Sequence, residues 1–388
     1  MKHFFIAALL IFCIMPCLTA CGKDDENADT AQFDAVSERF DAGEDAKRDE
    51  ETQQEPGQGE VKHEQTEQQD LEQGKLKQEQ TEQQDLEQGK VKQEQMEYIG
   101  EVPSNYFKSC KKQGKVRKVT YKSRDYTSKK RKEIKKTAFV YQPYGYDKKD
   151  TSKRYDILYL MHGWTMTAGD FFNSSGSDIV NMLDNMIESG DIQPLIVVCA
   201  TFDAENKSQD FARSVSELSV FHNDLRENLI PYIESRYNTY AEDTDDSSLK
   251  ESRQHRAFGG FSLGAVTTWH QFVYNLEYIK YFVPMSGGCW FEENYDSFDR
   301  PVEIVNYLEN IMNEKKIKEN DFRIYQGIGT NDPIWDLING QVLEMMKREM
   351  FTLDNLHYAV IKGGKHDLDA CERILFYALK DFFGVLDT

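Results

Sequence analysis

The sequence of 388 residues lacks the signatures of several common classes of protein. No two cysteines stand at Cys-x-x-Cys spacing, which argues against a structural zinc site. No metal-binding or nucleotide-binding motif is present, so we predict no cofactor. Basic residues are not in excess, since the formal net charge is −20, and this argues against a nucleic-acid partner. The apolar run near the N terminus, Phe4–Leu18, is too short to span a bilayer.

The first 20 residues instead have the pattern of an export signal, with Lys2 ahead of the apolar run. The run ends in Leu18-Thr19-Ala20-Cys21, which resembles the lipobox of bacterial lipoproteins, where the signal is cut before a cysteine that carries diacylglycerol. We predict that residues 1–20 are a lipoprotein signal peptide and that Cys21 is the lipidation site. The protein would then be extracytoplasmic and anchored to the bacterial membrane or cell surface. An ordinary signal peptide cut near Ala20 is the alternative.

Residues 21–100 have few aromatic side chains and many Glu, Gln, Asp and Lys residues. Between Gly22 and Gly100 there are 24 acidic and 9 basic residues, so this stretch supplies most of the net charge. The segment Gln65–Lys75 recurs unchanged as Gln80–Lys90, which gives a repeat of 15 residues. Such a composition cannot bury enough apolar surface to fold. We predict an acidic, disordered linker that tethers the following domain, with a partner-binding segment as the alternative.

Four cysteines remain beyond the signal and Cys21: Cys110, Cys199, Cys289 and Cys371. Export would permit disulfides between them. Cys199, however, ends the apolar run Ile196–Cys199, which is typical of a buried strand. We therefore expect no disulfide framework and predict no particular pair.

Residues 101–388 are predicted to form one α/β domain. A basic hairpin opens it, with strands Lys115–Tyr121 and Glu133–Tyr141. The charges at its tip, Lys129–Lys132, are expected to be solvated, although a contact with an acidic surface is the alternative. Strands are predicted at Asp156–Met161, Leu195–Thr201, Arg256–Gly260, Tyr281–Met285, Phe322–Gly327 and His357–Ile361, and helices at Asp178–Glu188, Ser216–Arg236, Leu263–Tyr274, Val302–Asn313, Trp335–Met350 and Leu368–Phe383. This alternation favours a mostly parallel central sheet with helices on both faces, and Ala241–Ser252 reads as a surface loop.

The segment Gly260-Phe261-Ser262-Leu263-Gly264 fits the G-x-S-x-G nucleophile elbow, and it lies between a predicted strand and a predicted helix. Glycines permit the sharp turn that would expose the Ser262 hydroxyl at the edge of the sheet. The backbone N–H of Leu263 would then face a developing oxyanion. A glycine-rich turn with a passive serine is the alternative interpretation.

A serine nucleophile needs a base, and His366 is the best placed of the eight histidines. It follows the last predicted strand on a loop at the same edge of the sheet, whereas His162 reads as structural. The third member should lie on an intervening loop, where Gly329-Thr330-Asn331-Asp332-Pro333 supplies Asp332. Asp336 is the nearest rival and could instead begin a helix.

A second oxyanion donor should come from the loop after Tyr159–Met161. The backbone N–H of Trp164 is the first candidate, and that of Thr165 stays open. Trp290 is predicted to contact the substrate, with ordinary packing as the alternative.

Several segments together resemble carbohydrate esterase family 1, the feruloyl esterases of the α/β-hydrolase fold, and most closely their xylanase-linked modules. The resemblance rests on the segments His162-Gly163, Pro194–Val198, Leu229–Ser235, Gly259–Gly264 and Met285–Trp290. The resemblance covers roughly residues 115–385 and implies an acyl-enzyme mechanism without a cofactor. It places the family's catalytic triad on Ser262, Asp332 and His366.

The resemblance implies release of ferulate or related hydroxycinnamates from plant arabinoxylan. Two departures bear on the acyl pocket: Asp367-Leu368-Asp369 replaces aromatic residues after the histidine, and Cys289 replaces a polar residue. Alternatives are an esterase for acetylxylan or another small acyl group, including siderophores. A surface carbohydrate-binding protein on an inactive hydrolase fold is a further alternative, against which the complete triad argues. The oligomeric state and any macromolecular partner beyond the membrane and an acylated polysaccharide are left open.

Overall fold

The computed structural model describes residues 96–173, 177–203, 209–291 and 299–385. The predicted signal peptide, Cys21 and the repeats lie outside these ranges. The described strands are β1 Met96–Tyr98, β2 Lys115–Arg124, β3 Glu133–Gln142, β4 Asp156–Met161, β5 Leu195–Ala200, β6 Arg256–Phe261, β7 Tyr281–Met285, β8 Arg323–Gly329 and β9 Leu356–Ile361. The α-helices are α1 Asp170–Asn173, α2 Ile179–Ser189, α3 Phe211–Asp224, α4 Ile230–Glu234, α5 Asp246–Glu251, α6 Leu263–Asn275, α7 Pro301–Glu314, α8 Trp335–Met345 and α9 Leu368–Phe383.

All of these strands join one sheet in the order β1-β9-β8-β7-β6-β4-β5-β3-β2. In this order, each strand pair from β1 through β5 is parallel. Only the pairs β5–β3 and β3–β2 are antiparallel. The mostly parallel sheet and the opening hairpin are therefore as predicted. In a sheet of this kind, ligands bind beyond the carboxyl ends of the strands.

Both faces of the sheet are buried, which explains the nearly continuous apolar character of β4 and β5. Along β4, Ile157 and Tyr159 join one apolar cluster, whereas Leu158 and Leu160 join the other. The first cluster is covered by helices α3, α6, α7 and α8, and the second by α2 and α9. Every residue of β5, including Cys199, is fully buried.

The long predicted helix Ser216–Arg236 is three elements in the structure. Helix α3 begins earlier, because the Asp210 side chain caps it by accepting a hydrogen bond from the Arg213 N–H at 3.2 Å. The chain then widens into a π-helical turn at Leu225–Leu229 before α4. Pro231, in the first turn of α4, has no N–H to donate to the preceding turn, which accounts for the interruption.

Three short elements were not predicted: β1, α1 and α5. Strand β1 pairs in parallel with β9, although its residues lie in the segment predicted as linker. Helix α5 lies inside the predicted surface loop Ala241–Ser252, and the Asp245 carboxylate caps it by accepting from the Ser247 and Ser248 N–H groups. The predicted helix Trp335–Met350 ends at Met345, where the chain continues as turns.

The opening hairpin is fixed to α3 by a buried polar cluster. The Asp224 carboxylate accepts hydrogen bonds from the Tyr121 hydroxyl at 2.9 Å and the Ser123 hydroxyl at 2.5 Å. The Lys136 ammonium lies 3.0 Å from the same carboxylate, so the two buried charges neutralise each other. This cluster fixes the position of the hairpin beside the carboxyl end of β5.

A second buried ion pair ties the start of β6 to α4. The Arg256 guanidinium donates two hydrogen bonds to the Glu234 carboxylate, at 2.6 and 2.9 Å, and both side chains are 1% exposed. Glu234 also accepts from the hydroxyl groups of Tyr159 and Thr239. Paired buried charges with all of their hydrogen bonds made are tolerated, whereas one left alone is costly.

Near the end of β4, His162 is buried between two hydrogen-bonding partners. One ring nitrogen lies 2.8 Å from the carbonyl oxygen of Gly163, and the other lies 2.8 Å from the Thr201 hydroxyl. Burial lowers the pKa of His162 from 6.5 to about 4, so the folded protein keeps the ring neutral. The structural role predicted for this histidine agrees with these contacts.

Within the ranges that the structure describes, no helix has both the length and the hydrophobicity needed to cross a bilayer.

Removal of the Glu234 carboxylate should leave the Arg256 guanidinium buried without its counter-charge. We predict that Glu234→Ala lowers the free energy of unfolding by about 3–5 kcal/mol in urea denaturation. Glu133→Ala is the control, because it removes the exposed partner of Lys122, and its cost should be below about 1 kcal/mol. Equal losses in the two variants would contradict a special role for the buried pair.

The stability of the protein should fall as the pH drops from 6.5 towards 4. Over this range the unfolded chain takes up a proton at His162, whereas the folded protein does not until its pKa of about 4 is reached. At pH 4 this difference amounts to about 3 kcal/mol. The measurement compares urea denaturation of the native protein and His162→Gln across this range. The native curve should decline more steeply, and parallel curves would count against the assignment.

Candidate active site

Ser262 lies in the turn between β6 and α6 with backbone angles φ +57° and ψ −117°, a region that L residues rarely adopt. Two glycines permit this turn. A Cβ atom at Gly264 would lie 2.2 Å from the carbonyl oxygen of Met161, and one at Gly260 would lie 2.3 Å from that of Gly264. The Ser262 N–H donates to the carbonyl of Met285 at 2.9 Å. The turn therefore holds Ser262 at the carboxyl edge of the sheet, at the N terminus of α6.

The loop after β4 passes directly beside this serine. A Cβ atom at Gly163 would lie 3.2 Å from the Cβ of Ser262. The carbonyl of Gly163 accepts from the Met166 N–H at 3.3 Å, which closes a turn with Trp164 and Thr165 at its centre. Thr165 has φ +65°. Both of the predicted oxyanion-donor positions on this loop thus lie in a turn next to Ser262.

The structure brings Asp332 and His366 together, 34 residues apart in the chain. The Nδ1 atom of His366 lies 2.8 Å from one Asp332 carboxylate oxygen, and the carboxylate is fully buried. The other oxygen accepts from the Ile334 N–H at 3.0 Å. The carboxylate thus orients the imidazole and stabilises the loop that follows β8. Asp336, the rival in the sequence, lies in the first turn of α8.

Hydrogen bonds join the loops that carry these two residues. The Asn331 N–H donates to the carbonyl of Gly364 at 2.9 Å, and the Gly363 N–H donates to the Thr330 hydroxyl at 2.8 Å. A Cβ atom at Gly329 would lie 2.2 Å from the carbonyl carbon of Gly364. The two loops can approach this closely only because both positions are glycine.

Phe261 connects the serine to the histidine, and the sequence analysis assigned it no role. Its ring centroid lies 4.8 Å from that of His366, and its side chain is 94% buried beside the nucleophile turn. The only signal for it was its place as the second residue of the G-x-S-x-G motif. Packing of this ring against the imidazole places His366 on the same side of the sheet edge as Ser262.

The loop after β7 carries Trp290, the predicted substrate contact. The Gln341 side chain, which was not predicted to matter, holds this loop through two hydrogen bonds. Its amide oxygen accepts from the Cys289 N–H at 2.8 Å, and its amide nitrogen donates to the Cys289 carbonyl at 3.0 Å. Trp290 is 8% exposed, and its carbonyl accepts from the His270 ring at 3.2 Å. Most of the Trp290 side chain is therefore packed inside the protein, and its contact with substrate stays a prediction.

The arrangement combines a hydroxyl on a strained turn, an imidazole oriented by a buried carboxylate, and a turn after β4 that passes beside the serine. These parts are those of nucleophilic acyl transfer. Over the described residues, no three His, Cys, Asp or Glu side chains lie close enough to hold a metal ion.

A protein-family model matches this architecture. The family Esterase, described as "Putative esterase", matches residues 130–374, which is more than half of the chain. The match includes the nucleophile turn and both loops of the Asp332–His366 pair.

Curated relatives show the same likeness. The chain is 32% identical over 288 residues to endo-1,4-beta-xylanase Y of Acetivibrio thermocellus, covering 72% of this chain and 24% of that protein. It is 31% identical over 159 residues to an endo-1,4-beta-xylanase/feruloyl esterase of Xylanibacter ruminicola, covering 40% of this chain and 20% of that protein. The chain therefore spans a quarter or less of the length of these relatives.

Among solved structures, one neighbour is the feruloyl esterase module from Clostridium thermocellum, a serine-to-alanine mutant complexed with sinapinate. It is 30% identical, with a TM-score of 0.65, and the match covers 76% of this chain and 96% of the module. This neighbour confirms the predicted α/β-hydrolase fold and the predicted resemblance to feruloyl esterases. On the strength of the family match and these relatives, the chain belongs to the Esterase family.

Proposed function

We propose that this protein is a serine feruloyl esterase that releases ferulate or related hydroxycinnamates from arabinoxylan. One observation carries the proposal. Ser262 lies on a strained nucleophile turn near the Asp332–His366 pair, in a chain 30% identical to a feruloyl esterase module whose structure contains sinapinate. Sinapinate is itself a hydroxycinnamate, so its presence in that module supports an aromatic acyl group for this site.

In the proposed mechanism, the Ser262 hydroxyl attacks the ester carbonyl while His366 removes its proton. Asp332 accepts a hydrogen bond from the His366 Nδ1–H, which leaves Nε2 as the base and stabilises the imidazolium that forms. His366 then donates the proton to the departing sugar oxygen, and an acyl-enzyme on Ser262 remains. Water, deprotonated by the same histidine, releases the hydroxycinnamate and restores the serine.

The negative charge that develops on the carbonyl oxygen needs hydrogen-bond donors fixed in advance. Leu263 is the first residue of α6, so its N–H has no partner within the helix and the helix dipole reinforces it. The second donor in the proposal is the N–H of Trp164 or of Thr165, in the turn beside Ser262. The loop after β4 would thus act through its backbone.

The two departures from the family have structural roles in this chain. The Asp367 carboxylate caps α9 by accepting from the Ala370 N–H at 3.0 Å, so a capping residue stands where the family has an aromatic one. Cys289 is fully buried, and Gln341 fixes its backbone. Neither change alters the Asp332–His366 contact. The curated relatives favour a hydroxycinnamate over a small acyl group or a purely binding role.

We also propose that the enzyme acts outside the cytoplasm, attached to the membrane through a lipid on Cys21. The support is the sequence alone: a short basic and apolar signal that ends in Leu18-Thr19-Ala20-Cys21. The acidic repeats would then hold residues 101–388 at a distance from the membrane, within reach of an insoluble polysaccharide.

Ser262→Ala should abolish ferulate release from methyl ferulate and from a feruloylated arabinoxylan oligosaccharide. The expected loss in kcat is about a millionfold for Ser262→Ala. For Asp332→Asn, which leaves His366 wrongly oriented, it is about ten thousandfold. Initial rates measured by chromatography of free ferulate test both values. Ser235→Ala, an exposed serine in the turn that ends α4, is the matched control and should keep full activity.

Acetylated xylan belongs in the same assay. Acetate release that depends on Ser262, without ferulate release, would keep the mechanism and discard the feruloyl assignment. Unchanged rates in Ser262→Ala would overturn the mechanism itself.

Cys21→Ser should prevent lipidation. In cells fed radiolabelled palmitate, the native chain is expected to take up label and fractionate with membranes, whereas the variant should lose both properties. Cys110→Ser is the control, because this cysteine lies in the described domain and follows Phe107-Lys108-Ser109, which does not resemble a lipobox. Equal labelling of native protein and Cys21→Ser would show that the lipid is not on this residue.

A further inference from the structure

A groove lined by both polar and apolar groups lies between the opening hairpin and the first half of α3. Its volume is about 550 Å³, within the usual range of ligand sites. Asp125 and Thr127 line it from the end of the hairpin, Lys135 lines it from β3, and Arg213 and Glu217 line it from α3. The mechanism proposed above uses none of these residues.

The groove lies beyond the carboxyl ends of the parallel strands, where Ser262 also lies. Phe139 of β3 pairs with Cys199, next to the last residue of β5. Lys135 lies four residues before Phe139, so at about 3.3 Å per residue the hairpin extends roughly 10 Å or more past the carboxyl end of β5. The Phe211 ring, at the start of α3, packs against the Trp164 ring in a T-shaped arrangement with centroids 5.3 Å apart. The groove therefore begins one helical turn from the loop that adjoins the nucleophile.

The charges of the groove balance. Two carboxylates, of Asp125 and Glu217, face two cations, of Lys135 and Arg213. The hydroxyl groups of Thr127 and Ser216 and the apolar side chain of Ile134 complete the lining. A lining without net charge has no strong preference for an anion or a cation. It offers hydrogen-bond donors and acceptors side by side, which suits a ligand whose hydroxyl groups both donate and accept.

Glu217 has an acceptor that lacks a donor. One of its carboxylate oxygens lies 3.1 Å from Arg213 Nε, and the side chain is only 12% exposed. The other oxygen is buried and accepts no hydrogen bond from the part of the chain that is described. Burial also raises the pKa of this carboxyl, consistent with poor solvation. A buried acceptor of this kind is unfavourable until a donor reaches it.

We propose that this groove is a subsite for the sugar chain of the substrate, in which Glu217 accepts a hydrogen bond from a sugar hydroxyl. The ligand class is a neutral pentose oligosaccharide, and this assignment rests on the proposed feruloyl esterase function. The ester would occupy the site at Ser262, while sugar units farther along the oligosaccharide occupy the groove. Binding there lowers KM for polymeric substrates and leaves the chemistry at Ser262 unchanged.

Two variants of the full-length protein test the subsite. Glu217→Gln replaces the charged acceptor with an amide of the same shape, and Ser216→Arg places a long side chain in the groove from an exposed position of α3. Asp246→Asn and Ser247→Arg are the matched controls, because they make the same kinds of change on α5. This helix precedes β6 and so lies at the amino ends of the parallel strands, away from Ser262.

The assay compares methyl ferulate, which has no sugar, with a feruloylated arabinoxylan oligosaccharide. We expect both groove variants to keep kcat/KM for methyl ferulate within twofold. For the oligosaccharide, KM should rise at least fivefold in Glu217→Gln and more in Ser216→Arg, while kcat and both controls stay unchanged. If each variant changes kcat/KM by the same factor on methyl ferulate and on the oligosaccharide, the subsite proposal is overturned.

Direct binding separates this proposal from the proposed function. Calorimetry with xylohexaose, which carries no ester, should show binding to the native protein and at least tenfold weaker binding to Ser216→Arg. No binding, or the same affinity in both proteins, would overturn the subsite whatever the enzyme hydrolyses. Failure to cleave methyl ferulate, with xylohexaose binding lost in Ser216→Arg, would overturn the feruloyl function and keep the sugar site.

Discussion

The close approach of two backbones at Gly264 is the constraint on which the catalytic arrangement depends. With a methyl group 2.2 Å from the Met161 carbonyl oxygen, α6 could not start where it does, and β4 and β6 could not both end at this point. The approach places the loop after β4 beside Ser262 and forces the serine into its positive φ. One contact therefore fixes the position of Ser262 relative to the loop after β4, and it holds Ser262 in a strained backbone conformation.

The same device recurs at the other end of the site. Gly329 and Gly364 bring the loops after β8 and β9 into contact, and this contact allows Asp332 to reach His366. Each half of the site is thus a pair of neighbouring strands whose following loops touch through glycine. The parallel sheet fixes both halves relative to each other, and the Asp332–His366 hydrogen bond then orients the imidazole within its half.

Much of this could be read from the sequence, because the relevant signals are local. Buried strands such as β4 and β7 are short apolar runs, and their predicted bounds match the structure. Other elements depend on partners distant in the chain. Residues 96–98 form a strand only because β9 offers a free edge, and no property of Met-Glu-Tyr alone predicts it. The π-helical turn before α4 arises from the missing N–H of Pro231, which a periodic apolar pattern conceals.

The division between predictable and unpredictable features also separates catalysis from specificity. The proposed nucleophile lies in a motif of five consecutive residues. By contrast, the loop that carries Trp290 is positioned by Gln341, which lies 52 residues beyond Cys289. Similarly, the groove arises only when the hairpin, fixed to α3 by the Lys136–Asp224 pair, comes to lie beside Glu217. Loops and pairings of this kind can change without disturbing the glycine contacts at Ser262. Under the proposed function, the sugar chain that is bound could therefore change while the chemistry at Ser262 stays the same, and the hairpin is the element through which we expect such variation to act.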